Sequence, residues 1–74
     1  MNVGMLWLDD DKNSSFEEKI TRAADYYIEK YGVSPEICMV NTMNLEEEKV
    51  IGKIQVQPVG NVLPHHFWMG TKSA

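Results

Sequence analysis

Seventy-four residues make one domain, and a chain this short buries only roughly 60% of the surface it exposes when unfolded, so its core is modest. A hydrophobic fraction of 43% with 24% charged residues excludes a disordered segment and describes an ordinary folded domain. The formal net charge of −4 works against contact with a phosphate backbone and disfavours nucleic acid as a partner.

The amino end, MNVGMLWLDDDK, lacks the basic start and long apolar core of a signal peptide. No apolar run approaches the ~20 residues of a membrane span. Cys38, the single cysteine, cannot form an intrachain disulfide, and its apolar setting ICMV reads as a buried thiol. The expectation is a cytoplasmic protein without membrane contact.

Val3 to Leu8, VGMLWL, carries no charged or amide side chain and is bounded by three aspartates. It reads as a strand covered on both faces. Asp9 to Asn13 then makes the turn into a helix. From Ser14 to Tyr31, Phe16, Ile20, Ala23, Ala24, Tyr27, Ile28 and Tyr31 recur in steps of three and four, a single stripe at helical period. Ser14 with Glu17, or Ser15 with Glu18, has capping-box spacing. Gly32, with Lys30 before it and Pro35 beyond, closes the far end.

Ile37 to Val40 reads as a second buried strand, parallel to the first across a right-handed crossover. Asn41 to Lys49 is a polar excursion, with a single helical turn as its most structured form. From Val50 the period becomes two, Lys53, Gln55 and Gln57 alternating with Ile54 and Val56, which gives a third strand with one wet face. Gly60-Asn61 turns the chain, and Val62 to Met69 returns as a fourth strand antiparallel to the third. The predicted fold class is α/β (α+β), two-layered, with one long helix on a four-stranded mixed sheet in the order β-α-β-β-β. Residues 1–70 form the single domain and 71–74 a disordered tail.

One helix covers one face, yet the strands also carry Met5, Trp7, Met39 and Trp68. A second apolar face of that kind predicts a homodimer, joined face to face or through an edge strand.

Three groups are candidates for function. Asp9, Asp10 and Asp11 follow the carboxyl end of the first strand, where open sheets bind ligands and where carboxylates can hold Mg²⁺ or Ca²⁺. Without the spaced Gly and Glu of a calcium loop, an acidic turn leading into a helix is the plainer reading. His65 and His66 are adjacent, so on a strand they face opposite ways. His66 together with Asp9 or Asp10 makes a metal site or an acid/base pair only if the last strand brings them together. The third group is aromatic: Trp7, Tyr26, Phe67 and Trp68 are the candidates for contact with a partner, Tyr26 because it lies off the helical stripe. No phosphate-binding glycine loop, CxxC or GxSxG occurs, and no cofactor is expected.

WLDDD at 7–11, AADYYIEKYG at 23–32 and VLPHHFWMG at 62–70 together resemble a family of very short prokaryotic proteins that pair an AAxYYxxKYG helix with a VLPxHFWxG ending. The resemblance covers nearly the whole chain to Gly70. It implies no activity or cofactor, and singles out Asp9, Asp10, Tyr27, Lys30, His66, Phe67 and Trp68. The leading functional expectation is a small non-enzymatic interaction or accessory protein, homodimeric, with a further protein as a possible partner. The alternative is a metal-dependent or acid/base enzyme using Asp9 or Asp10 with His66.

Overall fold

In the computed structural model, which describes residues 4–71, the helix α1 spans Phe16–Tyr31 and both of its ends follow the sequence signals. Ser15 is the N-cap: its hydroxyl accepts from the Glu18 backbone N–H at 3.1 Å, and the Glu18 carboxylate accepts from the Ser15 N–H at 3.4 Å. Of the two capping registers, Ser15 with Glu18 is the one realised. Ser14 is left to bond Asp11 and Arg22 instead. Gly32 takes φ +77°, a left-handed conformation that only glycine adopts without strain, and its N–H closes on the Ile28 carbonyl at 2.7 Å.

Five strands, not four, make the sheet: β1 (Gly4–Leu8), β2 (Ile37–Asn41), β3 (Lys49–Ile51), β4 (Ile54–Val59) and β5 (His66–Gly70). Their order across the sheet is β1-β5-β2-β4-β3. The extra strand comes from splitting the expected third one at Gly52-Lys53. Gly52 has φ +61°, and the two residues close a β3–β4 hairpin that pairs Ile51 with Ile54.

The second correction concerns the last strand. Instead of pairing with β4, β5 inserts between β1 and β2, antiparallel to both, while β2 pairs parallel with β4. β1 and β2 therefore run the same way, as expected of a strand-helix-strand crossover, but are not neighbours. The expected tail falls mostly outside the described residues, as does Val3, the expected start of the first strand.

Register determines which side chains meet the helix. Met5, Met69, Cys38 and Val56 stand in one row beneath α1, and Trp7, Phe67 and Val40 in the next. Together with Ile20, Ala23, Ala24, Tyr27 and Ile54 they form the core, and Phe16, Tyr31, Leu45 and Ile51 close its margins. Tyr27 stacks on Tyr31 with centroids 4.7 Å apart, and Phe16 on Phe67 at 5.9 Å. Ile28, counted in the stripe by spacing, faces solvent. Each large side chain fully buried here contributes about 1.5–3 kcal/mol, against the entropy of ordering a 74-residue chain.

Since the core rests on α1, losing its cap should register globally. Ser15→Ala is expected to cost about 1 kcal/mol and lower the thermal midpoint by about 4–8 °C, read by circular dichroism.

Candidate functional site

The strand positions that point away from α1 make a second face with no helix over it. Leu6, Trp68, Met39 and Gln57 stand in one row across β1, β5, β2 and β4. Gly4, Gly70, Ile37, Gln55 and Val50 make the row beside it, and Leu8 and His66 begin the third. Leu6 and Leu8 are 61% and 58% exposed. Beyond the strands, Val62 and Leu63 of the β4–β5 loop rise beside the middle row, and Leu63 is 68% exposed. A groove of about 550 Å³ runs between them, lined by Leu6, Met39, Asn61, Val62, Leu63, His66 and Trp68.

Two features give this face its shape. Gly4 has no side chain because the Trp68 indole lies against it. A Cβ at that position would sit 2.1 Å from the ring. The loop bearing Leu63 is tied to the end of β2 and the loop after it: Asn41 Nδ2 donates to the Val62 carbonyl at 2.6 Å, and the His65 N–H donates to Asn44 Oδ1 at 2.9 Å. His65 holds φ +64°, a left-handed conformation that costs a non-glycine residue on the order of 1 kcal/mol, and its carbonyl accepts from the Asp9 N–H at 3.0 Å.

The apolar character is uneven. It is concentrated over β1, β5 and β2, whereas β4 presents Gln55 and Gln57. None of the described strand positions facing this side is Asp, Glu, Lys or Arg. Glu48 reaches only its margin, where it accepts from the Gln55 side-chain amide.

The sequence-predicted residues distribute differently from expectation. Trp68 and Met39 are on the open face. Met5 and Trp7 are not: both lie under the helix, Trp7 beneath Tyr26 with ring centroids 4.8 Å apart. Tyr26 is half exposed on the outside of α1, as its off-stripe position predicted. The Trp7 Nε1–H is buried, with no hydrogen-bond partner among the described residues. Phe67, expected at a partner surface, is 1% exposed and belongs to the core. Leu6, Leu8, Val62 and Leu63 were missed, and the signal that finds them is parity: once Phe67 faces inward, Trp68 and its register partner Leu6 must face outward.

The polar candidates do not converge. The Asp9 carboxylate is buried on the helix side, where it accepts from Arg22 Nη1 at 2.9 Å and from the Asp11 N–H at 3.1 Å. His66 faces the opposite side of the sheet. Its Nδ1 lies 2.9 Å from the Pro64 carbonyl, which can only accept, so in the neutral ring Nδ1 carries the proton and Nε2 is the acceptor. Asp10 is exposed. Asp11 accepts from the Asn13 N–H and the Ser14 hydroxyl, and these bonds hold its pKa below the usual carboxylate range. Among the described residues no group of three or more His, Cys, Asp or Glu is placed to hold a metal ion. Burial pushes the Cys38 thiol up to about 12, leaving it a poor nucleophile at neutral pH.

No protein-family model, curated protein or solved structure matches the chain. Among the described residues, no helix is long and apolar enough to cross a membrane.

This arrangement makes Asp9 a structural joint between β1 and α1. Asp9→Ala is expected to cost about 1–2 kcal/mol in urea unfolding, because it removes the buried acceptor shared by Arg22 Nη1 and the Asp11 N–H, while Arg22 keeps Ser14 and solvent. Asp10→Ala should stay within about 0.5 kcal/mol of the parent.

Proposed function

We propose that this protein is a small interaction module rather than an enzyme, and that the open sheet face binds a second copy of the chain. The observation that carries the reading is the uncharged apolar surface on which Leu6, Leu8 and Leu63 are exposed and Met39 and Trp68 half-buried. At five strands and five residues the face measures about 24 by 17 Å, on the order of 400 Å² in projection. A molecule with a net charge of −4 repels its own copies everywhere that its charges are displayed. Among the described residues no strand position on this face is charged, so burial of apolar surface can drive two copies together there. A catalytic role for Asp9 with His66 lacks this support, since the carboxylate is engaged by Arg22 and the imidazole lies across the sheet from it.

Light scattering after size exclusion tests this directly. The wild-type chain should have the mass of more than one copy, and Leu63→Glu, which alters an exposed loop side chain, should lower that mass. Thr21→Glu on the outer side of α1 should leave it unchanged. A wild-type chain running as a single copy at its highest soluble concentration, or a Leu63→Glu mass equal to that of the wild type, overturns the reading.

A further inference from the structure

The two ends of the sheet are protected unequally. At one end β3 is only three residues long, carries Lys49 and turns at once into the hairpin, which are ordinary ways of blunting an edge. At the other end β1 is five residues, GMLWL, with no proline, no charge and no bulge. Among the described residues, no strand pairs with its outer side.

Which backbone groups line that outer side follows from the ladder. In the β1–β5 register, residues paired across the strands sum to the same number, and the Asp9 N–H bonds the His65 carbonyl. Hydrogen-bonded pairs alternate with non-bonded ones in an antiparallel ladder, so Met5 and Trp7 also bond inward. Gly4, Leu6 and Leu8 therefore direct their N–H and C=O groups outward. The Tyr31 hydroxyl, reaching the Gly4 carbonyl at 3.4 Å, agrees with that direction.

We propose that this edge pairs antiparallel with the β1 edge of a second copy, about a two-fold axis through Leu6. Leu6 then faces Leu6 of the other copy and Gly4 faces Leu8 in both directions, giving about six new backbone hydrogen bonds. Charge selects this orientation. A parallel pairing sets Asp9, Asp10 and Asp11 of the two copies side by side, whereas the antiparallel one moves the two Asp10 residues about 26 Å apart, beyond the screening length of ~8 Å.

The same pairing deepens the proposed use of the open face, on which this inference rests. An antiparallel edge contact keeps both helices on one side of a continuous ten-stranded sheet. The apolar part of each open face lies nearest β1, so the two parts fuse into one strip, Trp68 and Leu6 of one copy meeting Leu6 and Trp68 of the other. The fused apolar strip, three strands from each copy, is on the order of 500 Å² in projection, and the two whole faces together about 800 Å², the area each partner contributes to a standard stable interface; a single face reaches about half of that. Four copies then form two ten-stranded sheets packed face to face.

Amide hydrogen exchange at Leu6 and Leu8, read by NMR together with the solution mass, tests the edge separately from the face. The probe is the Leu63→Glu variant, in which the face contact is broken and the edge is intact. The expected result is a two-copy species whose Leu6 and Leu8 amides exchange on the order of 10²-fold slower than in an unstructured chain. Fast exchange at both amides, whatever the mass, overturns the edge pairing. If the wild type still carries more than one copy while the variant is a single copy with fast amides, the edge proposal fails and the face reading stands. A single-copy wild type removes both.

Discussion

One helix cannot cover both faces of a sheet, and the rest of this molecule follows from that limit. α1, 16 residues long, is about 24 Å by 10 Å, enough to cover one face of the sheet from β1 to β4 and not the other. The residues where it meets the sheet are among the best buried described: Ile20, Ala23 and Tyr27 of the helix, and Cys38, Val40, Val56, Phe67 and Met69 of the strands. Charge has accordingly been displaced to the outside of α1 and to the loops, where Glu17 pairs with Lys49 and Arg22 with Asp9. What remains, among the described residues, is a face with no helix over it and no charged side chain on its strands.

The position of β5 makes this arrangement cooperative. β1 and β2 run in the same direction with a strand-wide gap between them, and the last strand of the chain fills it. Until β5 is in place, β1 pairs with nothing in the sheet, and the core lacks Phe67 and Met69. Pairing Gly4 with Gly70 joins residues at nearly opposite ends of the chain, a closure of the kind that slows folding. The strong local signals of α1, its capping box and its left-handed glycine, supply a preformed surface against which that closure can occur.

Local signals were also what sequence reading recovered. The helix and most of its buried stripe were legible in a period of 3.6, its ends in capping residues, the strand around Val56 in a period of 2, and the strands around Met5, Cys38 and Phe67 as short apolar runs. The split at Gly52 was not, because the alternation of β4 reads as starting at Val50 when no turn is recognised. The placement of β5 beside β1 was beyond reach for a different reason: pairing between distant strands leaves no trace in local periodicity. The error then propagated into the candidate site. In a run apolar at every position, such as GMLWL or HFWMG, parity alone decides which residues face the helix. Without it, Phe67 and Trp68 were both assigned to the surface although adjacent strand residues face opposite ways, and Leu6 was passed over.

The loop that bears Leu63 argues that the open face is shaped for contact and not merely left bare. An apolar side chain on a mobile loop loses conformational freedom on binding, at a cost of about 0.5–1.5 kcal/mol for each side chain immobilised. Here the backbone is held in advance. Asn41 bonds the Val62 carbonyl, Asn44 bonds the His65 N–H, and His65 is kept in a left-handed conformation that it would not adopt unsupported. The Trp68 indole is likewise fixed by its fit over Gly4 on the floor of the groove. Strain accepted at His65 and a side chain forgone at Gly4 both reduce what the free chain gains, and both define a rigid apolar groove in the unbound molecule. Preorganisation of that kind lowers the cost of association, and it supports the proposal that a face of modest area binds a second copy.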